Sequence, residues 1–125
     1  MPVVGIGTDI IDINRIADMA DDIRDRLAKR VLTKEEYQYY QQTNHPERYL
    51  AKRWAGKEAA AKALGTGIAD GVSFQHIQII SLATGQPTLV FSERALEVAK
   101  ALKVSHWHIS LADEKHYATA FVTLS

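Results

Sequence analysis

The sequence predicts an α+β fold built on a mainly antiparallel sheet. Three observations carry this: short β-branched runs are scattered among longer helical segments, two pairs of those runs are closed by tight turns as hairpins are, and 125 residues fit about one domain, taken here as residues 1–125. A helix–strand–strand pattern occurs twice, without residue-level identity between the copies.

Val3 to Ile11 is short, β-branched and punctuated by Gly5 and Gly7, which fits a mostly buried strand approached closely by other backbone. Asp12 is a suitable N-cap for an amphipathic helix or helix pair whose inner face carries Ile13, Ile16, Ala17, Ala20, Ile23 and Leu27. Thr33 and Glu36 form a capping-box pattern that opens a helix through about Gln42, with Tyr37 and Tyr40 turned inward. Pro46 suits the first turn of the longest helix, which Gly65 ends. Phe74 to Ser81 and Pro87 to Phe91 read as a hairpin, Ser92 as the cap of a helix through Leu102, and His106 to Leu111 with Tyr117 to Leu124 as a second hairpin.

Hydrophobic residues at 46% and charged residues at 24% are ordinary for a packed domain, which excludes disordered and fibrous classes. Lys plus Arg and Asp plus Glu number 15 each, so no whole-molecule attraction draws the chain to nucleic acid or anionic lipid. The absence of cysteine excludes disulfides, thiolate metal sites and a cysteine nucleophile. No stretch approaches the ~20 apolar residues of a membrane span, and the start has no basic region of a signal peptide. A cytoplasmic protein is expected.

Asp9 lies in the run Val-Val-Gly-Ile-Gly-Thr-Asp-Ile-Ile, where an ionised carboxylate either caps a turn at the strand end or needs a cationic, hydrogen-bonding or metal partner. On the long helix, at about 100° per residue, Arg53 and Lys57 share one stripe and Glu58 and Lys62 another, with alanines over much of the rest. Glu58 and Lys62 can line a cleft as cation and anion ligands, or can form an ordinary i,i+4 contact. Gly65-Thr-Gly67 follows a helix and so reads as a C-cap, not as a P-loop. His106 and His108 share a strand face with Ser110 and serve as an exposed pair, a phosphate contact or a transition-metal pair, the last unsupported by any cysteine or well-spaced carboxylate.

Taken together, Gly5-Ile-Gly-Thr-Asp-Ile10, Arg30-Val-Leu-Thr33, Arg53-Trp-Ala-Gly-Lys-Glu-Ala-Ala-Ala-Lys62, Gly65-Thr-Gly67, Gly85-Gln-Pro87 and His108-Ile-Ser-Leu-Ala-Asp113 resemble the holo-acyl-carrier-protein synthase family of short phosphopantetheinyl transferases, in order from about Val4 to Leu124. The resemblance implies Mg²⁺-dependent transfer of the phosphopantetheinyl arm of coenzyme A to a serine of apo acyl carrier protein, supporting fatty acid biosynthesis. It implies that Asp9 and Glu58 hold the metal, that Lys62 stabilises phosphate charge, and that the base is Glu58, Asp9 or a metal-bound water. It places coenzyme A near Arg53, Lys62, Gly65, Thr66, Gly85, Gln86, Pro87 and His108, and the acidic carrier near Arg15, Arg24 and Arg26.

The sequence departs from the family where interleaved aspartates dilute that basic face, where Gly56 stands at a position often alanine, and where Thr8 stands at one often apolar. The resemblance also implies a homotrimer with sites between subunits, in which the alanine-rich helix and a ligand-lining sheet face stay partly open in one subunit. Two other classes compete on the residues alone: a metal-dependent hydrolase of a nucleotide or pyrophosphate, and a catalytically silent trimer that binds carriers or nucleotides.

Overall fold

Caps set most of the element boundaries in the computed structural model, which describes residues 2–125. Strand β1 (Gly5–Asp12) ends where the Asp12 carboxylate accepts the Asn14 N–H at 2.9 Å and starts helix α1 (Ile13–Ala17). A break at Asp18 to Ala20 separates it from α2 (Asp21–Val31), so the expected pair forms, and the break turns Ile23 outward instead of in. The Thr33 capping box opens α3 (Lys34–Gln42), Pro46 opens α4 (Pro46–Leu64), and Gly65 ends it at a φ of 84°, a left-handed conformation that glycine adopts without strain.

Beyond that cap the structure departs from the sequence expectation twice. Phe74–His76 is a 3₁₀ turn, because Ser73 caps it through Gln75 N while Gln75 reaches back to the carbonyls of Lys29, Arg30 and Leu32; strand β2 (Ile77–Ser81) starts only afterwards. It pairs with β3 (Pro87–Phe91) as the expected hairpin. Ser92 precedes α5 (Glu93–Ala101) without a side-chain cap bond, since its hydroxyl donates to the His76 carbonyl at 3.4 Å. The second hairpin, β4 (Trp107–Asp113) and β5 (Tyr117–Leu124), forms as expected.

All ladders are antiparallel: β1, β5 and β4 form one sheet in that order, β2 and β3 a second. Trp107 links the two, donating its indole N–H to the Leu89 carbonyl at 2.8 Å and meeting Phe91 edge-on at 5.0 Å.

Helix α4 lies on the inner face of the larger sheet, where β1 and β5 present Gly5, Gly7, Ala118 and Ala120. A Cβ at Gly7 would fall 1.9 Å from the Ala59 carbonyl oxygen and one at Gly5 2.1 Å from that of Ala63, so strand and helix backbones touch directly. Gly56 differs, since its Cβ would meet not backbone but a side-chain end, Ile79 Cδ1 at 2.6 Å, which can yield. The buried apolar residues make one continuous cluster in which Ala51, Ala55, Ala59, Ala60 and Ala61 are fully enclosed. The expectation that this alanine surface stays open in one subunit is therefore corrected: the fold covers it by itself. The open surface is the outer sheet face, where Ile6 and Ile10 are each 61% exposed beside Tyr117 and Phe121.

Lys57, on the inward stripe of α4, is fully buried. Its ammonium donates to Glu36 Oε1 at 2.6 Å, to the Val31 carbonyl at 2.7 Å and to the Phe74 carbonyl at 3.2 Å, while Glu36 also accepts from Thr33 N and Ile79 N. All three ammonium donors are used. One ion pair thus joins the end of α2, the start of α3, α4 and β2.

Candidate active site

The backbone contact between β1 and α4 brings Asp9, Glu58 and Lys62 together. Asp9 belongs to the inward series of β1 with Gly5, Gly7 and Ile11, and its carboxylate meets the outward stripe of α4 on which Glu58 and Lys62 stand one turn apart. Lys62 Nζ donates to Asp9 Oδ1 at 3.0 Å and to the Thr8 carbonyl at 3.0 Å. The lysine side chain is half exposed, that of Asp9 only 19%. Asp9 therefore does not merely cap a turn, and Lys62 is engaged across the interface and not only along its own helix.

Glu58 is raised above the ordinary carboxylate range, first because burial penalises its charge and then because the Asp9 carboxylate repels it; Lys62, Trp54 and Arg30 oppose the rise. Two carboxylates that repel each other beside open solvent are what a hard divalent cation relieves, and both offer only oxygen donors, as such a cation prefers. Among the described residues no group of three or more His, Cys, Asp or Glu converges.

The other residues expected to take part fall into separate groups. Arg53 points to the opposite side of α4, where it lines a cavity of about 560 Å³ with Tyr39, His45, Arg48, Tyr49 and Lys52. Its guanidinium lies 4.7 Å over the Tyr49 ring and donates to Ser81 Oγ at 3.2 Å, while its buried Nε has no partner among the described residues. Burial raises the Tyr49 hydroxyl to about 12. Gln86, Pro87 and His108 come together around a smaller cavity of about 100 Å³, with Gly85 in the turn beside them at a φ of 87°. Gly65 and Thr66 end α4 just past Lys62, where a Cβ at Gly65 would meet open space. None of Asp9, Glu58 and Lys62 lines either cavity.

On the first helices, Arg15 is exposed and stacks over the Trp54 ring at 5.4 Å, and Arg26 is exposed with Asp22 4.0 Å away. Arg24 differs: it is turned inward and holds Glu47 at 3.3 Å, the Met19 carbonyl at 3.1 Å and Asp21 at 3.0 Å, so its guanidinium ties α2 to α4. His108 is an exposed sheet-face residue.

Sequence reasoning passed over the aromatic and cationic lining of the Arg53 cavity. Arg48 and Lys52 stand at i,i+4, which was signal enough, but both converge on Asp113 of the second hairpin, at 2.7 and 3.2 Å, and spacing along a helix does not reveal that. Trp54 was passed over as well, being readable only as a core aromatic.

The chain matches the model of the 4'-phosphopantetheinyl transferase superfamily over residues 5–122. It is 56% identical to a holo-[acyl-carrier-protein] synthase of Shewanella frigidimarina over 124 residues, covering 99% of this chain and 98% of that one. The fold superposes on the crystal structure of the holo-[acyl-carrier-protein] synthase of Neisseria meningitidis with a TM-score of 0.90, at 39% identity and 99% coverage of both chains. It superposes on that of a Bacillus anthracis holo-(acyl-carrier-protein) synthase in complex with CoA (3',5'-ADP) with a TM-score of 0.80, at 34% identity, covering 98% of this chain and 96% of that one. A β1 carboxylate set against a helix carboxylate and lysine, in a chain matched end to end, makes this protein a member of the 4'-phosphopantetheinyl transferase superfamily.

Proposed function

We propose that the protein transfers the phosphopantetheinyl arm of coenzyme A to a serine hydroxyl of an apo acyl carrier protein, the step that readies a carrier for fatty acid biosynthesis. The observation that carries this reading is the meeting of Asp9 and Glu58 from two separate elements, with the Lys62 ammonium on the first of them. The serine oxygen bonds to the phosphorus that carries the arm, the phosphorus–oxygen bond inside the pyrophosphate breaks, and adenosine bisphosphate leaves. Asp9 and Glu58 would hold Mg²⁺, which when bound neutralises pyrophosphate charge and orients the phosphorus. Lys62 is half exposed and so can offer its ammonium to the phosphate oxygens. Glu58, Asp9 or a metal-bound water would take the serine proton.

Coenzyme A would lie along Arg53, Lys62, Gly65, Thr66 and the Gly85-Gln86-Pro87 turn with His108. Arg53 stands on the other side of α4 from Glu58, and the small cavity at Gln86, Pro87 and His108 is separate again. A site completed by a neighbouring subunit would unite them, and we propose a homotrimer. The exposed Ile6, Ile10, Tyr117 and Phe121 of the outer sheet face, interleaved with threonines, support it as apolar surface that a neighbouring subunit can cover. A monomeric mass by light scattering in active preparations overturns the trimer. Arg15 and Arg26 are the exposed arginines left to meet the acidic carrier, Arg24 being engaged within the fold. The same reading sets the protein in the cytoplasm; among the described residues no helix is long and apolar enough to cross a membrane.

Intact mass spectrometry of an apo acyl carrier protein incubated with this protein, coenzyme A and Mg²⁺ tests the reading. One added arm on the carrier serine, absent without metal, is the expected result. Coenzyme A bound with no gain on the carrier marks a silent binder, and coenzyme A cleaved with no gain marks a hydrolase.

A further inference from the structure

Trp54 presents an unexplained donor. Its ring packs on the core and is only partly exposed, yet its indole Nε1 is buried without a hydrogen-bond partner among the described residues. A buried N–H left unpaired is costly, and natural structures keep few of them. The nearest polar group on the same stripe of α4 is the carboxylate of Glu58, one turn further on, a spacing at which helix side chains meet. The Trp54 indole opposes the raised protonation of Glu58, while its Nε1 stays buried without a bonded partner. The opposite constraint comes from Arg15, whose guanidinium covers the ring at 5.4 Å. An aromatic hydrocarbon would fill the same space and accept the same stack; only tryptophan adds a buried N–H one turn from Glu58.

We propose that Trp54 is a positioning residue for Glu58: its indole N–H orients the Glu58 carboxylate, and the Arg15 stack holds the indole in place. The inference rests on the reading of Glu58 as part of the transfer site and adds a residue that acts through it. It also gives the first helix a physical route to the site, because any group that engages Arg15 acts on the ring that orients Glu58.

The two tryptophan indole signals in a ¹H–¹⁵N correlation spectrum test this directly. Trp107 is the internal reference, since its N–H is fixed on the Leu89 carbonyl at 2.8 Å. Glu58→Met is expected to move the Trp54 signal upfield and leave that of Trp107 in place; a Trp54 signal indifferent to Glu58→Met overturns the proposal. Trp54→Phe, which keeps the packing and the stack, is expected to lower kcat about tenfold, the scale of one hydrogen bond to a charged group, with KM for coenzyme A unchanged. A Trp54→Phe protein with the parent kcat also overturns it, whatever happens to its melting temperature. The indole readout needs no turnover, so failure of the transferase reading and failure of this one are told apart.

Discussion

Lys62 Nζ is shared equally between Asp9 Oδ1 and the main-chain oxygen of Thr8, each 3.0 Å away, so one ammonium grips both the candidate carboxylate and the strand that carries it. With half the lysine side chain in water, such a pair is worth about 0–1 kcal/mol to the fold. Stability does not explain it.

Lys62→Ala should therefore leave the melting temperature nearly unchanged and lower kcat more than it weakens coenzyme A binding, as expected of a group that serves the transition state. Asp9→Ala should cost transfer on the order of 10²–10³-fold, the scale of removing a preorganised charge-stabilising group, again with little loss of fold. Steady-state kinetics beside thermal melts check both; equal losses in affinity and in kcat/KM for Lys62→Ala would mean uniform binding instead.

The buried pair makes the contrasting prediction. Lys57→Met leaves Glu36 enclosed with its charge uncompensated, and urea unfolding should show a loss of about 3–5 kcal/mol. Changing both residues to apolar ones of similar volume should recover much of it. Burial is also the first cause of the lowered Lys57 ionisation, with the Glu36 carboxylate opposing it.

Gly7 tests the strand–helix contact. Gly7→Ala puts a methyl group 1.9 Å from the Ala59 carbonyl, and backbone must move because no flexible side chain is there to yield. Overpacking of this kind costs roughly 1–3 kcal/mol or more. The same shift draws Asp9 away from Glu58, so thermal melting and transfer should fall together.

Glu58 sets a pH dependence with a definite sign. Its folded ionisation is raised above the ordinary 4.5 by burial and by Asp9, so the folded state holds the proton more tightly than the unfolded chain does. The stabilising contribution is complete below about 4.5 and is lost as pH rises through the folded value. Glu58→Gln should accordingly stabilise the protein at neutral pH, and the gain should vanish in acid. Denaturant midpoints at pH 7 and pH 4 decide it; a gain equal at both would trace to packing.

The α+β class, both hairpins, the Asp12 and Thr33 caps and the Gly65 stop were legible because each rests on local chemistry: a side-chain oxygen within reach of free N–H groups, or a φ that glycine accepts. The 3₁₀ turn at Phe74 was not, since it depends on Gln75 reaching three carbonyls at the end of a helix more than forty residues away. Arg24 shows the same limit. Its sequence neighbours mark it as one of a charged face, and only the packing of α2 on α4 turns it inward to Glu47.

The sequence by itself singled out the candidate groups, because Asp9 is a carboxylate in an apolar run, Glu58 and Lys62 stand one helical turn apart and all three match the family motifs, and because Gly5 and Gly7 leave room for a second backbone. Tertiary structure alone decided that Asp9 meets Lys62, that Lys57 is spent on Glu36, and that Arg53 opens on the other side of α4. The physical reason is that local propensity acts over a few residues, whereas a carboxylate finds its partner only once a strand and a helix some fifty residues apart touch backbone to backbone.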